Sequence, residues 1–294
     1  MGSVLKPNGQ CYGFLNINKP KGMTSHDVVA NVRRLTGIRQ IGHTGTLDPF
    51  AEGVLPICIG KATRLIEYLE DNKAYLATVQ FGSNTDTYDI DGTVTQTFDK
   101  KVTRAQIEDA LKDFRGEIEQ LPPIYSAIKV NGKKLYEYAR KGEEVEIQPR
   151  RVTIEKLELK TFDETLQTAQ LEVKCSKGTY IRSLAFDLGA KLGCGAHLSA
   201  LVRTQAGRFT LDCAITLQKL VFDDVRSHLI NPLEVLPLKQ LEVTESEFAK
   251  IKNGVSFKRD GLNNEEFLLL TRENNICAIG FSMDNIISLK KVFV

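Results

Sequence analysis

Residues 42–56, GHTGTLDPFAEGVLP, hold three glycines, two prolines, one histidine and two carboxylates between segments patterned like ordinary core. No helix can run through this stretch: Pro49 fixes its own φ and holds the preceding Asp48 in extended backbone. The glycines at 42, 45 and 53 permit positive φ or the close approach of another molecule. A rigid loop of this kind can aim a side chain. Taken alone, Asp48 is either a nucleophile or base on a preorganised loop, or the cap of its own Asx turn.

The flanking segments show regular periods. Residues 11–18 (CYGFLNIN) read as a strand; KPKG then turns the chain, and Thr24 or Ser25 caps a helix with the apolar stripe Val28, Val29, Val32 and Leu35, ending at Gly37. Residues 54–59 form an apolar strand that Pro56 interrupts or places at an edge, and 62–69 a helix. Residues 73–81 alternate, with Tyr75, Ala77, Val79 and Phe81 on one face. Thr103 and Gln106 make a capping box for a helix with stripe Ile107, Leu111 and Phe114. Residues 121–151 fit neither period and carry PP, NG and KG turn signals, so a projecting hairpin or flap is expected. Strands follow at 152–159 and 171–175, a helix at 178–193 and a strand at 206–213. The pattern breaks across 231–237. A helix (245–252) and three strands (267–271, 276–281, 286–293) then make a compact β-rich tail. The expected division is a main domain over 10–235 and a small module over 238–294.

The chain has 294 residues, 42% of them hydrophobic, enough for a sizeable core and about two domains. It has no apolar run long enough to span a bilayer, and MGSVLKPNGQ lacks the features of a signal peptide, so a cytoplasmic protein is expected. The six cysteines (Cys11, Cys58, Cys175, Cys194, Cys213, Cys277) form no CxxC pair, and reduced, mostly buried thiols are expected. With four histidines (His26, His43, His197, His228) and no second ligand at suitable spacing beside His43 and Asp48, no metal site is expected.

The net charge is only +2, but it is unevenly distributed. Residues 1–64 carry eight bases (Lys6, Lys19, Lys21, Arg33, Arg34, Arg39, Lys61, Arg64) against Asp27, Asp48 and Glu52. Residues 129–151 carry seven (Lys129, Lys133, Lys134, Arg140, Lys141, Arg150, Arg151) against four acids, while 70–120 are acidic. Segregated basic segments suit either a groove for a polyanion or solvated faces.

Taken together, these residues carry a sharper signal. GHTGTLDPFAEGVLPICIGKATRL resembles the central motif of the TruB family of pseudouridine synthases. Three further blocks resemble that family in the same order: NKPKGMTSHDVV (18–29), KAYLATVQFG (73–82) and SKGTYIRSLAFDLG (176–189). PPIYSAIKVNGKKLYEYAR resembles its RNA-binding insertion. The likeness covers residues 12 to about 215. One departure is Arg64, where many relatives carry lysine; the charge is kept.

The resemblance implies an α+β fold: a pseudouridine synthase core with a mixed, largely antiparallel sheet and packed helices, an RNA-binding flap and a small PUA-like C-terminal domain. It implies isomerisation of uridine to pseudouridine at position 55, in the T loop of tRNA. That reaction breaks the bond from ribose C1′ to uracil N1 and remakes it to C5 without redox change, so no cofactor is expected. By the resemblance Asp48 is the nucleophile, Arg182 its ionic partner and Tyr75 the ring that stacks on the flipped uracil or takes the C5 proton. Tyr180 would wall the pocket and His43 fill the position the base vacates. Lys19 and Lys21 would contact phosphates or support the catalytic loop. Lys129 in the flap and Leu201 complete the substrate-binding set, with flap lysines interleaved by Tyr125, Tyr136 and Tyr138. The expected partner is tRNA alone, with a monomer and no protein partner or membrane. Two alternatives stay open: a tRNA-folding chaperone, and a guide-RNA-dependent synthase acting on ribosomal RNA.

Overall fold

Thr24 opens the first helix as its place before an apolar stripe predicts. Its hydroxyl accepts the Asp27 N–H at 3.1 Å while Asp27 Oδ2 accepts the Thr24 N–H at 2.8 Å. The computed structural model describes residues 12–294 except 223, 263 and 265; Lys6 and Cys11 lie outside the described residues. Strand β1 (Gly13–Lys19) leads to helix α1 (Ser25–Thr36), which ends at Gly37 in the left-handed region. Next come β2 (Ile41–His43), β3 (Glu52–Ile59), a 3-10 helix (Gly60–Tyr68) and β4 (Lys73–Phe81). A hairpin of β5 (Ser83–Thr85) and β6 (Val94–Thr97) precedes α2 (Arg104–Ala110) and β7 (Gly116–Gln120).

The expected flap holds a small hairpin, β8 (Lys129–Val130) and β9 (Lys133–Lys134), followed by helix α3 (Leu135–Lys141). Asn131 and Gly132 take positive φ between the two strands, as an NG hairpin turn requires. The chain returns through β10 (Arg150–Asp163), β11 (Thr168–Cys175), α4 (Ile181–Leu192), β12 (Ala196–Ala206), β13 (Phe209–Thr210) and β14 (Ile215–Thr216).

These strands make one ten-stranded sheet in the order β14-β1-β3-β12-β4-β11-β10-β7, with β2 on β3 and β13 on β12. It is mixed and largely antiparallel, as expected; only β1–β14 and β3–β12 pair in parallel. One face buries Leu15, Ile17, Leu55, Ile57, Ala77 and Leu171 beneath Val28 and Val32 of α1, Ile107 of α2 and Leu184 and Leu188 of α4. Each valine, leucine or isoleucine among them contributes roughly 1.5–3 kcal/mol on burial.

Three expectations need correction. The helix expected over 62–69 is a 3-10 helix beginning at Gly60. The strand expected over 206–213 is only Phe209–Thr210, whereas the long strand lies before it, at Ala196–Ala206. Register shifts at Leu198/Ala200 and Arg203/Gln205 break its period of two, and a buried arginine sits where an apolar residue would mark the core face. Pro56 neither interrupts β3 nor puts it at an edge, since β3 is flanked on both sides and Pro56 pairs with Asn16 of β1. The Pro56 carbonyl accepts the Thr44 N–H at 3.1 Å, so its nitrogen faces the side where β2 has already ended at His43. The one ladder bond that proline cannot give is thus the return bond to Thr44, just past the end of β2.

Beyond β14, α5 (Leu217–Phe222) and α6 (Pro232–Val235) lead to a second sheet. It comprises β15 (Lys239–Glu242), β16 (Phe257–Lys258), β17 (Glu266–Arg272), β18 (Asn275–Met283) and β19 (Ile286–Val292), with α7 (Glu245–Lys252) packed beside it. Leu269, Ile279 and Phe293 share a core with Phe14, Val54 and Cys58 on the second face of the large sheet.

Candidate active site

The loop from Gly45 to Pro49 is held through its carbonyls, and each has a donor. Arg203 Nη2 donates to Gly45 O at 3.1 Å and Nη1 to Thr46 O at 3.4 Å. Ser25 Oγ donates to Leu47 O at 3.0 Å and accepts the Leu47 N–H at 2.9 Å. The Asp48 carbonyl takes the Ala51 N–H at 3.1 Å and that of Pro49 the Gly22 N–H at 2.8 Å. Leu47, Phe50 and Ala51 are buried beneath it. The Asp48 side chain stays about a third exposed, between the exposed Thr46 and Pro49.

Across from it, Arg182 in the first turn of α4 places Nε 3.0 Å from Asp48 Oδ2 and Nη2 3.4 Å from Oδ1, a two-pronged pair. The rest of that guanidinium is also occupied. Nη1 reaches Asp89 Oδ2 at 3.4 Å and donates to Thr87 O at 3.1 Å, and Nη2 donates to Tyr125 O at 3.0 Å. Asp89 is buried, and burial raises its pKa against the opposing pull of the Thr87 hydroxyl and Arg182. Gln120, at the end of β7, accepts the Tyr180 N–H at 2.7 Å and donates to Tyr180 O at 2.9 Å, tying the start of α4 to the root of the flap.

Tyr75 lies buried on β4 directly across from Arg203 of β12. Burial raises its phenol pKa, and the guanidinium pulls the other way. Tyr180 is half-buried, its phenol likewise raised by burial. Leu201 is buried two residues before Arg203 and faces Ala77. His43, at the end of β2, meets the His26 ring edge to face at 5.6 Å; its buried Nδ1 has no partner among the described residues. Burial, His26 and Arg203 all lower its pKa, which favours the neutral ring.

This geometry can be set beside known proteins. Residues 33–181 match the model of the TruB family pseudouridylate synthase N-terminal domain, and 182–236 that of the tRNA pseudouridylate synthase B C-terminal domain. The chain belongs to the TruB family of pseudouridine synthases. A tRNA pseudouridine synthase B of Geobacillus thermodenitrificans is 47% identical over 284 residues, covering 91% of this chain and 93% of that one. Another, of Symbiobacterium thermophilum, is 50% identical over 248 residues, covering 83% and 82%. Among solved structures, an H/ACA RNP bound to a substrate RNA containing 2′-deoxyuridine superposes with a TM-score of 0.72 at 25% identity, covering 96% of this chain and 85% of that one. A Cbf5-Nop10-Gar1 complex gives the same TM-score and coverages at 27% identity.

In this TruB chain the two lysines of the NKPKG turn part company. Lys19 is fully buried, and its ammonium donates to Met23 O at 2.6 Å, Pro20 O at 3.0 Å and Pro49 O at 3.4 Å. The bond to Pro49 O ties Lys19 to the loop that carries Asp48. Burial draws its pKa down to about 8, against the upward pull of Asp48 and Glu52. Lys21 is exposed, as is Lys129 on the flap. Flap cations sit over flap rings, with Lys133 Nζ 4.2 Å from the centroid of Tyr138 and Arg140 5.3 Å from that of Tyr136.

Sequence reasoning passed over Ser25 as a loop anchor, Asp89, Gln120 and Arg203. Ser25 was visible only as a candidate cap. Asp89 sits in the acidic run DTYDIDG, where nothing separates it from its exposed neighbours.

Proposed function

We propose that this chain isomerises uridine to pseudouridine at position 55, in the T loop of tRNA, acting on a base flipped out of its stack. What carries the reading is Asp48, a partly exposed carboxylate on a loop whose every carbonyl from 45 to 49 is bonded, ion-paired to a buried arginine, in a member of a pseudouridine synthase family. Asp48 acts on the ribose or the uracil as the C1′–N1 bond breaks. The base rotates, C1′ bonds to C5, the C5 proton leaves and N1 gains one, so atoms and charge balance. Tyr75 and Leu201 line the base pocket, Tyr180 walls it beside Asp48, and His43 fills the vacated stack. Extruding the base costs roughly a few kcal/mol, which flap and loop contacts must return.

The enzyme acts without guide RNA or a partner protein, as a cytoplasmic monomer. The curated relatives at 47–50% identity are named for tRNA, while the H/ACA RNP likeness stands at 25%. The residues over 238–294 form a small PUA-like domain attached to a catalytic domain over 10–235. The test is tritium release from an unmodified tRNA transcript labelled at uridine C5, with wild type beside Asp48→Asn. One tritium per tRNA from wild type and none from the variant is expected. Tight binding without release by either would sink the isomerase reading in favour of an RNA-folding protein or one that waits for a guide.

A further inference from the structure

Arg203 is 1% exposed, among the largest fully buried side chains of the chain. Among the described residues no carboxylate pairs with it; its bonds run to Val54 O from Nε at 2.6 Å, Thr46 O from Nη1 and Gly45 O from Nη2. A buried cation without a counter-ion costs several kcal/mol in lost hydration, and carbonyl dipoles return only part of that. An apolar side chain would avoid that cost but would leave the Val54, Thr46 and Gly45 carbonyls without this donor. The nearby bases Lys19, Lys73 and His43 each feel its charge as an unfavourable one.

What the guanidinium does is join three parts of the site. Its own strand pairs with β3 through Gly53, where an added Cβ would stand 2.3 Å from Arg203 O, so the backbone register is fixed. Its two terminal nitrogens take the carbonyls that lead into Leu47 and Asp48. Its cross-strand neighbour on the same face is Tyr75, whose phenol it also perturbs. A planar fork meets several acceptors at once in a way a lysine ammonium does not.

We propose that Arg203 is a positioning residue for the isomerisation: it locks the Gly45 and Thr46 carbonyls and the Tyr75 side chain into one arrangement, so that Asp48 and the Tyr75 ring meet the flipped base in fixed relation. This rests on the reading of Asp48 and Tyr75 given above.

The experiment takes wild type, Asp48→Asn, Arg203→Lys and Arg203→Met of the full chain. Single-turnover tritium release at saturating enzyme, the Kd for the tRNA transcript and the melting temperature are measured for each. The pH titration of the Tyr75 phenol is followed by NMR of protein carrying 13Cζ-tyrosine, its signal assigned with Tyr75→Phe. Arg203→Lys keeps the charge and folds, and its single-turnover rate falls roughly 100-fold, the scale of a 1 Å misplacement, with Kd unchanged. In Arg203→Met the Tyr75 phenol titrates at higher pH than in wild type, a change that loosened packing alone would not bring about in a folded variant. If Arg203→Met does not fold, the rate and Kd of Arg203→Lys decide. A folded Arg203→Lys at the wild-type rate overturns the proposal, as does a variant whose Kd rises as far as its rate falls, or an unmoved Tyr75 titration in folded Arg203→Met. Should wild type itself release no tritium, the isomerase reading fails first, and Arg203 with it.

Discussion

Arg182 Nε stands 3.0 Å from Asp48 Oδ2, and the same guanidinium is held from behind by Asp89 at 3.4 Å. One arginine thus pairs with a partly exposed carboxylate, the proposed nucleophile, and with a buried one behind it. Replacing Arg182 by Met leaves the Asp89 charge buried without its partner, a loss of about 3–5 kcal/mol. Urea denaturation should show that loss, and tritium release should be abolished. Asp89→Asn keeps the shape and folds, but the guanidinium loses its anchor. Its single-turnover rate is expected to drop roughly tenfold, about 1.4 kcal/mol in the barrier, with tRNA binding intact. An Asp89→Asn enzyme at full rate would dismiss the anchoring role.

Lys19 carries a pH signature. Its native pKa of about 8 lies below the ordinary 10.5, so between those values the native state binds fewer protons than the unfolded chain and stability rises with pH. Below pH 8 the full cost of burying the ammonium is present. Wild type should therefore gain on Lys19→Met by up to about 3 kcal/mol on going from pH 8 to 10.5, read from urea curves at each pH. A constant difference would show that the ammonium is not desolvated. At pH 7 the same variant should isomerise more slowly, because Pro49 loses a donor.

Ser25→Ala removes the hydroxyl that both donates to and accepts from Leu47. Two backbone groups beside Asp48 lose their partner, at a cost of about 1–3 kcal/mol. The melting temperature falls, and activity falls further than occupancy of the folded state explains. Ser25→Thr, which keeps a hydroxyl, should recover part of the rate.

The exposed lysines predict salt dependence. Lys21→Ala and Lys129→Ala should each weaken tRNA binding evenly across tRNA sequences and lower the slope of log K against log salt by roughly 0.7–0.9. Single-turnover rates at saturating enzyme should not change. Unaltered slopes would place both side chains outside the RNA footprint.

Much of this molecule was readable because its determinants are local. The capping box at Thr103 and Gln106, the alternation of 73–81, the NG turn in the flap and the glycine that ends α1 each depend on neighbours a few residues away. Asp48, Arg182, Tyr75, Tyr180 and His43 were linked to one another only through the family motif; taken alone, Asp48 could as well cap its own Asx turn. Strand β12 was not legible, because its register shifts and buried arginine hide the period that marks a strand.

The sequence by itself determined that the chain breaks at 42–56 around a rigid Asp-Pro step and that a strand and a capped helix precede it, since backbone sterics and periodicity act at short range; the family resemblance came from its motifs. Tertiary structure alone decided what holds that loop. Ser25 lies 22 residues from Leu47, Arg182 lies 134 from Asp48, and Arg203 lies 158 from Gly45. A buried polar group is stable only where the completed fold supplies its partner, and no local pattern names that partner in advance.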